Sequence, residues 1–285
     1  MILSWYATRD GYHLLSCSVL LGGLVNRSYT ITLITADMAV ILIGKGDKVK
    51  IGIIGGGSFG QFMARVFVPY HEVFICSRRT DIILPDVDMI PFENLASMDC
   101  IILAIPLEAH QSVLARLRPM LRPETLVVDV CSVKVRSREI LLHELSGHPN
   151  MLICHPLFGP QSAATGTQGH QLIVTDAMGD AAHRMITFCQ GVLGLQVTHV
   201  TAEEHDQAMA YVHVLTFFVA RGLGNMNIAQ LPFVTPSFQY LQDLINLDHQ
   251  HSNELFMTIQ TGNPFGAKVR REVVQALGDL EQSLA

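Results

Sequence analysis

Four clusters of residues in this sequence have types and spacings suited to chemistry. The first is Gly55, Gly57 and Gly60, within Gly55-Gly56-Gly57-Ser58-Phe59-Gly60. The apolar run Ile51, Ile53, Ile54 precedes them and the helix-like stretch QFMARVFV follows, so the order is strand, turn, helix. Gly55 permits the tight turn, Gly57 lets backbone approach a pyrophosphate, and Gly60 lets the helix pack close to its strand, with the phosphates on the helix N-terminus. Ser58 and Phe59, inside the turn, join the glycines as candidate cofactor contacts. The second cluster, Ser77-Arg78-Arg79, ends the next strand-like run. An NAD site presents Asp or Glu about 20 residues past the glycines to bond the ribose 2′-hydroxyl. A carboxylate there repels a 2′-phosphate and a guanidinium binds one bidentately, so Ser77, Arg78 and Arg79 point to NADP. The competing reading is a pair of solvated loop charges.

The third cluster lies at strand ends, where open α/β sheets bind ligands. Ser132 and Lys134 follow the strand LVVDV, and His155 follows the strand MLIC. Imidazole titrates near neutrality, and hydride removal from a carbinol needs its hydroxyl proton taken, so His155 is a candidate general base. Ser132 would orient the histidine or the hydroxyl. A loop serine and a satisfied core histidine are the alternative. The fourth cluster is His205 and Asp206, in the first turn of a helix, with His213 two turns further on. From position alone these read as structural, since a first-turn Asp often only complements the helix dipole. At a domain boundary where a cleft would form, His205 and His213 are also the substrate-binding candidates. Asp248-His249-Gln250-His251 looks like a metal cluster, but imidazoles at i and i+2 of a helix diverge, and a solvated face is expected; no metal site is assigned.

The elements that position these residues follow from periodicity. Strands at residues 71–76, 98–106, 126–130, 152–154, 171–175 and 195–200 alternate with helical stretches, which argues a Rossmann-type doubly wound, mostly parallel sheet over residues 48–200. At Thr201-Ala202-Glu203-Glu204 a capping box opens a different rhythm. Residues 203–230 and 237–283 have helical spacing, so residues 201–285 are expected to form an all-helical substrate and dimerisation domain. Large apolar residues from Phe233 to Phe256 exceed what a short helical tail buries against itself, which predicts a homodimer.

Composition sets limits. Net charge is −6, with 19 basic and 25 acidic residues and no basic run, so nucleic acid and anionic membrane are not expected partners. The six cysteines form no CxxC pair, and Cys76, Cys100 and Cys154 adjoin apolar runs; they read as free buried thiols in a reducing cytoplasm. Residues 1–47 fit no familiar element. They read as an extra packed or loosely ordered extension, as an over-long reading frame with the true start near Met38, or as a targeting segment. Leu14 to Val25 is apolar but too short to span a bilayer.

Taken together, GIIGGGSFGQFMA, the Ser77-Arg78 strand end, VDVCSVK, ICHPLFGPQS and AEEHDQAMA, in this order and spacing, resemble the prephenate/arogenate dehydrogenase family of tyrosine biosynthesis, and its arogenate-type members in particular. The resemblance runs from about Lys48 into the helical C-terminus. It implies a Rossmann domain joined to a dimerising helical domain, with the site between them. The implied reaction is an oxidative decarboxylation, with hydride leaving ring C4 for the nicotinamide and CO2 lost. By the same match, His155 would take or polarise the 4-hydroxyl proton and Ser132 would bond the same region. Two positions depart from the pattern: Phe217 stands where the family usually has histidine, and Gln239 where prephenate-using members often have arginine, which favours arogenate. β-Hydroxyacid dehydrogenases and pyrroline-carboxylate-type reductases share the architecture but rely on a lysine or a tight site in the second domain, and the helix beginning at Glu203 has no lysine. A non-catalytic NADP-binding regulator would keep the glycines without needing His155 and Ser132.

Overall fold

The computed structural model describes residues 2–7, 13–18, 29–31, 48–229 and 231–285. Within the first 47 residues, β1 (Ile2–Ala7), β2 (His13–Ser18) and β3 (Tyr29–Ile31) pair antiparallel in that order. Met38 and most of the Leu14 to Val25 run lie outside the described residues, so the readings offered for this segment stay open.

The central sheet has eight strands: β4 (Lys50–Ile54), β5 (Glu72–Cys76), β6 (Val87–Met89), β7 (Cys100–Leu103), β8 (Leu126–Asp129), β9 (Met151–Pro156), β10 (Gln171–Met178) and β11 (Gln196–His199), in the order β11-β10-β9-β8-β7-β4-β5-β6. From β6 to β9 every pairing is parallel. Strand order reverses between β4 and β7, which makes the crevice above these two the switch point. The edge strand β6 was not legible in the sequence, since Val87, Asp88 and Met89 are half-buried or exposed and carry no apolar run. β10 runs antiparallel to β9, because residues 157–170 return the chain to the same edge without a crossover helix.

Helices α1 (Ser58–Phe67), α2 (Leu107–Leu117), α3 (Lys134–Glu144) and α4 (Gly179–Gly191) cover both faces. Strand side chains accordingly divide between two cores: Ile51, Ile53 and Ile102 join Phe62, Phe67 and Phe188 on one face, while Ile54, Ile101 and Leu103 join Leu114, Leu117 and Leu141 on the other. Burial on both faces is why these strands read as continuous apolar runs rather than alternating ones.

From Ala202 onward every described element is helical: α5 (Ala202–Met209), a π-helical turn (Ala210–Leu215), α6 (Thr216–Gly224), α7 (Pro236–His249), α8 (Asn253–Met257), a second π-turn (Thr258–Gly262) and α9 (Gly266–Leu284). The Thr201–Glu204 capping box is present with both reciprocal bonds. The helix expected to reach residue 230 stops at Gly224, where Asn227 takes a left-handed φ of 51° and the chain turns. Among the described residues no helix is long and apolar enough to cross a membrane.

Candidate active site

The glycine turn does what its spacing requires, but each glycine for a different reason. Gly55 has a φ of 115°, and a side chain there would collide with the carbonyl of Ala104 at the end of β7. At Gly60, a Cβ would collide with the carbonyl of Gly55, so this glycine sets how closely α1 packs on β4. Gly57 is exposed, and a Cβ there would meet no protein atom. Its smallness therefore matters only to something that approaches from outside, as a pyrophosphate on the N-terminus of α1 would. The Gln61 amide donates to Gly56 O at 3.0 Å and holds the turn, Ser58 is exposed at the helix start, and Phe59 packs on Phe62.

At the end of β5 the two arginines differ. Arg79 is bonded bidentately to Asp81, at 3.0 and 2.7 Å, and its backbone N–H donates to Ser77 Oγ. Arg78 is exposed and has no ion-pair partner among the described residues. The two are adjacent in sequence, and the pairing of Arg79 with Asp81, two residues on, separates them.

His155 lies within β9 rather than after it, 4% exposed, on the third strand from β4 across the switch point. At about 4.8 Å per strand that offset is about 14 Å, which puts the glycine turn and the histidine at opposite ends of one crevice. His155 Nδ1 is 2.9 Å from His205 Nε2, and the rings of His205 and His213 stand edge-on to it with centroids 5.1 and 5.3 Å away. The sequence spacing hid this convergence. Residues eight apart on an α-helix are rotated by about 80°. The π-turn at Ala210–Leu215 adds a residue to that interval and returns His213 to the face of His205.

Asp206, fully buried, anchors the group. Its carboxylate accepts from the backbone N–H groups of Lys134 (2.8 Å) and Val135 (2.9 Å) in the first turn of α3, and His205 Nδ1 lies 2.8 Å from Oδ1. Burial, with His213, His205 and Lys134 adding to it, pushes the His155 imidazole well below its usual range, while Asp129 opposes them. Burial and the neighbouring His205 and His251 bring His213 down to about 4. His213 Nδ1 is buried without a partner among the described residues.

Beneath His155 lies a second buried network, of which the sequence disclosed only Lys134. The Lys134 ammonium donates to Asp129 Oδ2 and to Cys154 O, both at 2.6 Å, and Asp129 also accepts from Ser137 Oγ at 2.8 Å and the Cys131 N–H at 3.0 Å, with His110 Nε2 at 3.0 Å. Burial alone would raise the Asp129 carboxyl, but the Lys134 charge and the His110 bond outweigh it and hold it low. His110, Asp129 and Cys131 come close enough to suggest a metal site. Lys134 already supplies the cation, and burial pushes the Cys131 thiol up to about 12, so it stays protonated and a poor ligand. Ser132, half-buried between β8 and α3, has no hydrogen bond to His155 among the described residues.

Two expectations fare differently. Gln239 lies on the exposed side of α7, bonded to Asp243 at 3.0 Å, and is not among the residues gathered round His155. The Asp248 to His251 segment is solvated only in part: His249 and Gln250 are exposed, whereas Asp248 is 2% exposed and takes both Arg221 bonds, at 2.9 and 3.2 Å, and His251 packs on Phe217 with centroids 4.9 Å apart. No local pattern shows that α7 turns this end inward against α6.

The family model for the prephenate dehydrogenase nucleotide-binding domain matches residues 71–190. Arogenate dehydrogenase 2, chloroplastic, of Arabidopsis thaliana is 28% identical over 236 residues, covering 77% of this chain and 65% of that protein. Residues 71–190 are thus similar to the nucleotide-binding domain of prephenate dehydrogenases, and the longer match is to an arogenate dehydrogenase. Arogenate dehydrogenase 1, chloroplastic, of the same plant is 26% identical over 236 residues, 78% of this chain. The chain spans 65% and 37% of the lengths of these two relatives. In fold it is similar to the prephenate dehydrogenase of A. aeolicus, whose crystal structure holds hydroxyphenyl propionate and NAD+: TM-score 0.65, 17% identity, covering 84% of this chain and 92% of that one.

Proposed function

We propose that this chain catalyses the NADP-dependent oxidative decarboxylation of arogenate or prephenate, with arogenate preferred. The observation that carries this reading is the buried His155, bonded to His205 and flanked by His213, across the switch-point crevice from a glycine turn whose Gly57 is open to a ligand. The cofactor supplies a nicotinamide that accepts hydride. Gly55, Gly57, Ser58, Phe59 and Gly60 would hold its pyrophosphate end, and Ser77 and Arg78 would meet the ribose phosphate, with Arg79 joining them if it leaves Asp81. His155 takes the proton of the 4-hydroxyl as the C–H bond breaks, and a neutral imidazole is what burial there favours. Ser132 orients that hydroxyl. The unpartnered Nδ1 of His213 is free to bond a substrate oxygen.

The arogenate preference rests on charge. Prephenate carries two carboxylates without a compensating amine, so it needs more positive charge in its pocket than arogenate does. Arg221 is committed to Asp248 and Asn253 and stacks on Phe256, and Arg270 is bonded to Gln260. Residues 201–285 form the substrate and dimerisation unit: Phe233, Tyr240, Leu241, Leu277 and Leu280 are 84%, 75%, 42%, 59% and 55% exposed, and a second copy would cover them. Among the described residues five cysteines are buried free thiols, which supports a reducing compartment, taken here to be the cytoplasm. The test is to incubate the full chain with NADP or NAD and with arogenate or prephenate, following absorbance of the reduced cofactor. Highest specificity constant with arogenate and NADP is expected; no turnover of either substrate overturns the reading.

A further inference from the structure

The hydrogen bonds behind His155 fix where its protons sit. Both oxygens of Asp206 accept backbone N–H bonds from α3, so the group is a carboxylate with only acceptors to offer. The proton in its 2.8 Å contact with His205 must then be on His205 Nδ1. A neutral His205 carrying that proton presents a bare Nε2, and the 2.9 Å contact to His155 Nδ1 needs its proton on His155. His155 is left with a bare Nε2, the one nitrogen able to accept a proton from outside, and it has no hydrogen bond among the described residues.

We propose that Asp206 and His205 form a proton relay behind His155, with the first turn of α3 clamping its far end. This deepens the reading of His155 as the base for the 4-hydroxyl and rests on it. When the substrate O–H bond breaks, its proton joins His155 Nε2, and the Nδ1 proton of His155 passes to His205 Nε2. The positive charge comes to rest on His205, beside the Asp206 carboxylate. The oxygen electron pair closes the carbonyl as the ring C–H pair leaves as hydride for the nicotinamide named above. When CO2 departs, its bonding pair aromatises the ring, the relay runs backward, and the phenol oxygen recovers the proton from His155. No net proton is released. His205 and Asp206 are positioning residues: Asp206 links the sheet's α3 to α5, so the base has its working tautomer only when the helical segment is docked on the sheet.

The titratable groups facing His155 are His205, His213, Lys134 and Asp129, and the relay assigns a change of charge to His155 and His205 alone. The first test needs no turnover. In ¹⁵N spectra of the full chain with labelled histidine, assigned with His155→Gln and His205→Gln, both residues are expected at neutral pH with a protonated Nδ1 and a bare Nε2. A proton on His155 Nε2 in the free protein overturns the relay. The second test uses His205→Gln, whose oxygen still accepts from His155 Nδ1 and whose amide still donates to Asp206, but which takes up no further proton. It is expected to lose roughly 10²-fold in kcat with KM nearly unchanged. Its rate in H2O–D2O mixtures should vary linearly with deuterium fraction, where the wild type curves because two protons move. A wild-type kcat and a wild-type curve in this variant overturn the relay. If the wild type turns over neither substrate, the oxidative decarboxylation reading falls, and the ¹⁵N spectra still decide the tautomer chain.

Discussion

Substituting Gly57 and Gly60 in turn separates cofactor contact from packing within one six-residue turn. Gly57 has φ −70° and ψ −180°, a conformation any residue adopts, and a Cβ there meets no protein atom. Gly57→Ala loses no side-chain cap, and the smaller entropy of its unfolded chain offsets the weaker capping of alanine, so stability should move by less than about 1 kcal/mol. The added methyl stands where the pyrophosphate would approach. Losing one N–H bond to a charged phosphate costs about 1.5–3 kcal/mol, which is roughly 10- to 150-fold in Kd. Gly60→Ala behaves in the opposite way. Its Cβ collides with the Gly55 carbonyl, backbone that cannot rotate aside, and α1 must shift off β4. Overpacking of this kind costs about 1–3 kcal/mol, or roughly 2–10 °C in Tm for a chain of this size. Calorimetric titration with NADP and a thermal melt of each variant measure both quantities. If Gly57→Ala binds cofactor as the wild type does, or melts as early as Gly60→Ala, the assignment of this turn is wrong.

His155→Ala should lose about 10²–10⁴-fold in kcat while binding NADP normally, and near-wild-type turnover would make the histidine structural. Arg78→Ala should raise the KM for NADP more than that for NAD, since Arg79 is held by Asp81; an equal rise for both cofactors would dismiss Arg78 as a phosphate ligand. His71, 2% exposed with neither ring nitrogen bonded, is brought down to about 4 from 6.5 by burial and by Lys48. The unfolded chain therefore binds this proton more readily than the folded one. Its contribution is intact above pH 6.5 and is lost as pH falls toward 4, at most roughly 3 kcal/mol. His71→Leu should flatten the fall in Tm between pH 7 and pH 5, and a slope as steep as wild type's would refute this. Tyr240→Glu combined with Leu277→Glu should turn a dimer into a monomer by light scattering, and a wild type already monomeric at micromolar concentration removes the basis for that interface.

The sequence alone determined the features that depend on a few adjacent residues. The glycine turn, the βα alternation, the Thr201–Glu204 capping box and the position of His155 beside a strand end all follow from local conformational preference and from burying a sheet on both faces. Tertiary structure decided the rest. It reversed β10, paired Arg79 with Asp81, turned Asp248 and His251 inward, and left Gln239 on an exposed helix face. It also assembled the site. The π-turn rotates His213 back toward His155, and Asp206 meets α3 across 72 and 71 positions of chain. Periodicity reports which side of an element is apolar. A hydrogen bond between distant residues depends on how two elements dock, and docking is set by the combined packing of both surfaces, which no local pattern contains.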